Sequence, residues 1–142
     1  MECGAFDTLQ TSVSIADQQA IELTIPRALE RGMGVIAKRP LANAAWRDRE
    51  RPSGAYHETY WERLQTLPYP FLSDSAERIV ETALRFTLSI PGVHTAIVGT
   101  ANPDRWAQNA ALLKDGVLGS DEYEQIREQW RRVAQPDWVG QG

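Results

Sequence analysis

A chain of 142 residues is long enough to bury a core, and 42% apolar with 24% charged residues is a globular composition rather than a disordered or fibrous one. A formal net charge of −4 leaves no basic footprint for nucleic acid, and the arginines between Arg47 and Arg51 are interrupted by Asp48 and Glu50. The single cysteine, Cys3, excludes an internal disulfide and fits a reducing compartment; with no signal peptide or membrane span in view, a cytoplasmic protein without membrane contact is expected.

Glu2-Cys3-Gly4 reads as the end of a helix whose body would lie upstream, followed by a strand over residues 6–12 with Phe6 and Leu9 apolar and Gln10 near its C-terminal end. Residues 14–17 make a loop. Residues 18–33 are helical in character, but Pro26 is tolerated only in a first turn, so the main helix is expected over 25–31 with a looser turn before it. Gly32-Met33-Gly34 is a stop signal, and Val35-Ile36-Ala37 is short, apolar and glycine-bounded, as a buried strand should be. Strand, helix and strand in so short a span make a βαβ unit, which implies a parallel sheet. The run Lys38-Arg39-Pro40-Leu41-Ala42-Asn43 then follows a strand's C-terminal end, the ligand face of parallel α/β architecture. Lys38 and Arg39 there either offset phosphate charge or are solvated cations.

Residues 47–73 form a long mixed connection with one short helical piece near 56–67; Trp46, Tyr56, Tyr60, Trp61 and Phe71 serve to pack it down, and His57 has no evident partner in sequence. The clearest helix covers 73–88, with Ala76, Ile79, Val80, Ala83, Leu84 and Thr87 on one face and Asp74 with Glu77 as a capping-box-like start. Pro91-Gly92 ends it. His94 enters the last strand, over 95–98, from the N-terminal end of the sheet, away from chemistry.

Residues 97–109 organise the rest. Gly99 permits an unusual φ or a close approach to a ligand, Asn102 suits an N-cap, and Pro103 suits the first helical position. Thr100, Ala101 and Asn102 would present N–H groups at the positive end of a helix dipole, an anion site, while Arg105, Gln108 and Asn109 share one face of the first turns. The same pattern also describes an ordinary strand-to-helix connection. Trp106, Ala110 and Leu113 are expected on the buried face of that helix, which Asp115-Gly116 closes. Ser120 caps a final helix with Tyr123, Ile126, Trp130 and Val133 on one side; Pro136 stops it, and 137–142 is a tail.

Thr100, Asn102, Arg105, Gln108 and Asn109 resemble the last strand–loop–helix of the aldo-keto reductases, where loop and helix grip the adenosine 2′-phosphate of NADP. Gly99 stands where many members carry a phosphate-binding Lys, and Gln108 where many carry Glu. The resemblance extends over 6–138. It implies that Gln10 bonds the nicotinamide carboxamide, and that Leu41 and Asn43 contact a cofactor pyrophosphate running under the loop after the seventh barrel strand. Lys38 occupies the position of an aromatic residue that many members stack on the nicotinamide.

The fold implied is α/β: a partial TIM (β/α)8 barrel, about the last three βα units plus a C-terminal helix, in one domain over 1–142. The family's catalytic Asp, Tyr, Lys and His come from earlier strands and match no residue here, so no catalytic or metal residue is assigned. The resemblance implies NADP(H) as cofactor, with NAD possible, and hydride transfer to an aldehyde or ketone only in a complete barrel. The chain then reads as a truncated gene product or fragment of such an oxidoreductase, expected to self-associate or to need a missing N-terminal half. A non-catalytic dinucleotide-binding or regulatory module, and a purely structural αβ domain, are the other readings.

Overall fold

The computed structural model describes residues 4–141; Cys3 and the helix end read at Glu2–Cys3 lie outside the described residues. Three strands, β1 (Thr8–Ser12), β2 (Gly34–Lys38) and β3 (Thr95–Ile97), form one sheet in the order β1-β2-β3. Both pairings are parallel, as the βαβ pattern predicts. The register sets Ser12, Lys38 and Ile97 level at the C-terminal end. Leu9 and Thr11 of β1, Val35 and Ala37 of β2 and Ala96 of β3 share the face that the helices cover; Val35 and Ala37 are fully buried. Gln10, Ile36 and Thr95 share the other face, which is open.

The first strand is shorter than expected. The Gly34 N–H reaches Asp7 O at 2.9 Å, so β2 offers no partner earlier in the chain, and Phe6 stays 69% exposed. Because the ladder continues to Ser12, Gln10 lies mid-strand rather than near the end. The expected loose turn is a helix of its own, α1 (Gln19–Leu23), broken at Thr24 from α2 (Ile25–Leu29), in whose first turn Pro26 needs no N–H partner. The second helix stops at Leu29, short of Arg31. Gly32 there adopts φ 64°, and its N–H turns back to Leu29 O.

The long connection carries a 3-10 stretch (Ala42–Arg47), α3 (Glu58–Thr66) and a second 3-10 turn (Pro70–Ser73). Tyr60, Leu64, Leu67, Tyr69 and Phe71 bury themselves, so the segment is packed rather than loose. His57 has a partner that its neighbours in sequence do not reveal: its Nε2 lies 2.5 Å from Asp48 Oδ2.

In α4 (Ala76–Ser89) Ile79, Val80, Ala83, Leu84 and Thr87 are buried as expected, whereas Ala76 is exposed. Ser75 caps this helix by accepting from the Arg78 N–H at 3.3 Å. The Asp74–Glu77 pair does not, because the Asp74 N–H is committed to Phe71 O of the preceding turn. Gly92 follows with φ 91°, and a Cβ there would sit 2.5 Å from a Leu29 methyl, so the turn needs both the conformation and the space of glycine.

Two helices complete the described chain, α5 (Arg105–Leu112) and α6 (Ser120–Val133). The expected buried face of α5 is open: Trp106 is 73% exposed, Ala110 is exposed and Leu113 is half-buried, while Asn109 is buried. The cause is that β3 is an edge strand among the described residues, which place no further element beyond it to cover α5. Ser120 is the first residue of α6, and Gly119 takes the cap position. Ile126 and Trp130 bury the inner face of α6, with Tyr123 and Val133 half-buried. The tail does not trail away. Trp138 packs on Trp130 with ring centroids 5.3 Å apart, and Gln141 returns to the strand ends.

Candidate cofactor-binding site

The loop after β2 is bent by four non-glycine residues with left-handed φ: Arg39 (58°), Ala42 (45°), Asn43 (53°) and Ala44 (56°). Such conformations cost about 1–3 kcal/mol each and persist where surrounding structure enforces them. Here the Ala42 N–H donates to Arg39 O and the Ala44 N–H to Leu41 O, both at 2.8 Å, while Ala42 and Ala45 are fully buried. The result is a tight coil over the C-terminal ends of β2 and β3. Beneath it lies a cleft of about 480 Å³ that brings together Gln10, Lys38, Arg39, Leu41, Asn43 and Gly99. Lys38 ends β2. Arg39 donates to Ser12 Oγ at 2.9 Å and lies over the Tyr56 ring, 4.8 Å from its centroid.

A second cleft, of about 460 Å³, gathers Arg105, Gln108 and Asn109 of α5 against Glu77 and Val80 of α4, with Arg47 at its edge. The i, i+3, i+4 spacing thus yields the shared face that the sequence implies. Thr100 lines a third opening, of about 460 Å³, with Leu84, Leu88, Trp106, Ala110 and Leu113. Ala101 and Asn102 are exposed on the connecting loop and line none of the three.

Two expectations at this loop need correction. Asn102 does not cap the helix. Its Oδ1 accepts from the Asp104 N–H at 2.9 Å, closing a local turn, and its carbonyl accepts from the Arg105 N–H. An Asn side chain offers the backbone this alternative to a helix start. Pro103 therefore lies in a turn, Asp104 takes the cap position, and Arg105 opens α5. The Asn102 N–H is also committed, to Thr100 Oγ1 at 3.1 Å, so it is not one of the free donors expected there. Gly99 has no left-handed φ, and an added Cβ would meet nothing within 4 Å. The protein itself does not demand glycine there, and the space beside it is open to a ligand.

Two amide atoms in these walls are buried without a partner among the described residues: Asn43 Nδ2 and Asn109 Oδ1. Buried polar atoms are nearly always paired, so each marks a hydrogen bond left to be made. His94, by contrast, has a structural role: its Nδ1 accepts from the Val35 N–H at 3.0 Å and its backbone N–H donates to Val35 O, which ties β3 to β2 at the N-terminal end of the sheet.

Sequence reasoning missed a buried polar cluster at the carboxyl end of β1. Asp17 is fully buried, Tyr60 donates to its Oδ2 at 3.1 Å, and Arg63 stands 4.0 Å from its Oδ1. Burial pushes the Asp17 carboxyl above its usual range, with the Arg63 charge opposing. Burial, reinforced by Asp17, pushes the Tyr60 phenol up to about 12. Only the polarity of residues 14–17 hinted at this, since every partner is distant in sequence.

The architecture is a parallel α/β scaffold with the cleft under the loop after β2 at the carboxyl ends of the strands. The aldo/keto reductase family model matches residues 4–131, and the chain belongs to that family. Similar solved structures include the holo form of aldo-keto reductase AKR11C1 from Bacillus halodurans, at 23% identity and a TM-score of 0.65, covering 92% of this chain and 45% of that one. The apo form of the same protein aligns at 22% identity and a TM-score of 0.65, covering 93% and 46%. At such identity the likeness is one of fold, and the chain spans less than half the length of those proteins. No curated protein matches it. No helix among the described residues is long and apolar enough to cross a membrane.

Proposed function

We propose that this chain, as one partial domain over 1–142, is the dinucleotide-holding C-terminal part of a cytoplasmic (βα)8-barrel aldo-keto reductase. Gln10 would hold the nicotinamide carboxamide, with Lys38, Arg39, Leu41 and Asn43 along the pyrophosphate. The loop from Gly99 to Asn102 and Arg105 would meet the 2′-phosphate, once the Asn102 N–H gives up Thr100 Oγ1, and Gln108 and Asn109 the adenine. What carries this reading is the pair of unpartnered buried amide atoms, Asn43 Nδ2 and Asn109 Oδ1, each in a wall where a polar ligand is expected. Each Asn amide carries both a donor and an acceptor, so both can serve a nucleotide, which offers groups of both kinds. NADP(H) is the cofactor proposed, and NAD is the alternative.

When bound, the cofactor supplies a hydride. This chain's residues bind and orient it; the group that protonates a carbonyl oxygen is not among them. Reduction of an aldehyde or ketone therefore requires a complete barrel. The open sheet face, the unpaired edges of β1 and β3, and the uncovered side of α5 support an incomplete one, closed either by an N-terminal half or by self-association. Titration of the chain with NADPH, followed by cofactor fluorescence, tests the binding. Saturable binding weakened by both Asn43→Ala and Asn109→Ala is expected, and absence of binding overturns the reading.

A further inference from the structure

Residues 138–141 run back over the carboxyl ends of β1 and β2, where the Gln141 backbone bonds to three side chains. Its N–H donates to Asp17 Oδ2 at 3.3 Å. Its carbonyl accepts from Ser12 Oγ at 3.0 Å and from Arg39 Nη1. One residue earlier in the strap, a Cβ on Gly140 would sit 3.9 Å from both Asp17 carboxylate oxygens. The strap is anchored upstream by Arg63, whose Nη2 donates to Val139 O at 2.8 Å and whose guanidinium lies 5.3 Å from the Trp138 ring centroid. With the strap in place, Ser12 is 4% exposed and Asp17 is fully buried. Arg39 is thus shared: it lines the cleft with Gln10, Leu41 and Asn43, and it holds the strap.

We propose that residues 139–141 are an intramolecular competitor for Arg39, a latch that must release the guanidinium before an anionic group in the cleft can take it. A carbonyl oxygen is a weaker acceptor for a guanidinium than a phosphate oxygen, which carries charge and can accept two parallel bonds. A phosphate that takes Arg39 Nη1 does so at the expense of the Gln141 carbonyl, so strap and anion bind with negative coupling. The ligand class rests on the dinucleotide reading above; the competition itself needs only a pyrophosphate group.

The test compares the intact chain with one stopped after Trp138, each titrated with inorganic pyrophosphate and with NADPH, while amide exchange at Gln141 is followed in the intact chain. Removal of the competitor should tighten both ligands by about fivefold or more, and ligand should speed exchange at Gln141. Gln141→Pro, which deletes the N–H given to Asp17 and the side-chain bond to Val139 O but keeps the carbonyl, should give a smaller gain of about twofold and covers the case in which the shortened chain does not fold. Equal affinities in intact, shortened and Gln141→Pro chains, with Gln141 exchange unchanged by ligand, overturn the latch and leave the dinucleotide reading in place. Pyrophosphate bound more tightly by the shortened chain, with no NADPH binding by either, upholds the latch and removes the dinucleotide reading. Failure of both ligands to bind either chain overturns both.

Discussion

Arg127 and Gln18 lie 109 residues apart in sequence, yet the arginine Nη1 donates to the amide oxygen at 2.6 Å in the interior. Gln18 is 0% exposed and Arg127 2% exposed. The other guanidinium nitrogen reaches Glu22 Oε1 at 2.8 Å, and the Gln18 amide nitrogen donates to the Tyr69 hydroxyl at 3.1 Å. One side chain of α6 thereby binds the N-terminal end of α1 and, through Gln18, the loop carrying Tyr69.

Arg127→Ala should therefore destabilise the chain by about 2–4 kcal/mol, because it leaves the Gln18 oxygen buried without a donor and opens a cavity under α6. Glu22 adds little to that figure, since its side chain is 63% exposed and water replaces the lost partner. Urea unfolding followed by tryptophan fluorescence measures the loss. A change below about 1 kcal/mol would remove Arg127 from the fold's main supports.

Asp17 makes the chain's stability depend on pH in a direction opposite to that of most carboxylates. Burial raises its folded pKa above the usual Asp value, so between that value and the folded pKa the native state binds more protons than the unfolded state. The stability it contributes is present below about pH 4 and is lost as pH rises through the folded pKa. Relative to Asp17→Asn, the wild type should lose stability on going from acid to neutral pH. Urea unfolding of both proteins across that interval measures the difference. A wild type that instead gains on the variant as pH rises would mean that Arg63 outweighs burial.

How much of this was legible in the sequence depends on the range of the contacts involved. Val35-Ile36-Ala37 between glycines marks β2, and the spacing from β1 marks the parallel pairing, because both signals are local. The start of α5 was misplaced: Asn102 can serve either a cap or a turn, and the choice is made by its bond to the Asp104 N–H. The stripe Trp106–Ala110–Leu113 is visibly apolar, but periodicity does not say what covers it, and among the described residues Trp106 and Ala110 stay exposed while Leu113 is only half-covered. Ser12, Asp17, Tyr60 and Gln141 meet from four separate stretches of chain, so no spacing rule could assemble them.

That uncovered stripe predicts association. Trp106 is 73% exposed and Ile97, on the adjoining edge strand, 50% exposed. An unpaired strand edge beside apolar surface is a template for another chain. The isolated chain should sediment as a dimer or larger species at micromolar concentration. Trp106→Lys with Ile97→Lys should shift it toward monomer, because a charge at each position must be desolvated on contact. A wild type that remains monomeric and binds no dye specific for exposed apolar surface would count against an incomplete barrel.

The fourth prediction separates a 2′-phosphate site from a merely polar cleft. Arg105 is the first residue of α5 and lines the same cleft as Gln108 and Asn109, half-buried and beside the loop that ends β3. A 2′-phosphate docked there would gain a charge-assisted hydrogen bond from the guanidinium, worth about 1.5–3 kcal/mol, or roughly ten- to a hundredfold in affinity. NAD has no 2′-phosphate and should lose far less. Arg105→Ala is expected to weaken NADP binding by that factor while leaving NAD nearly unchanged. Because the helix start is held by backbone and Asn102 bonds rather than by this side chain, the fold should survive. Titrations of both cofactors against wild type and variant, together with a circular-dichroism melt, decide the matter. Equal losses for the two cofactors would take Arg105 away from the phosphate. A loss confined to NADP, with an unchanged melt, would place the guanidinium on it and make Arg105 the residue of this chain that tells the two cofactors apart.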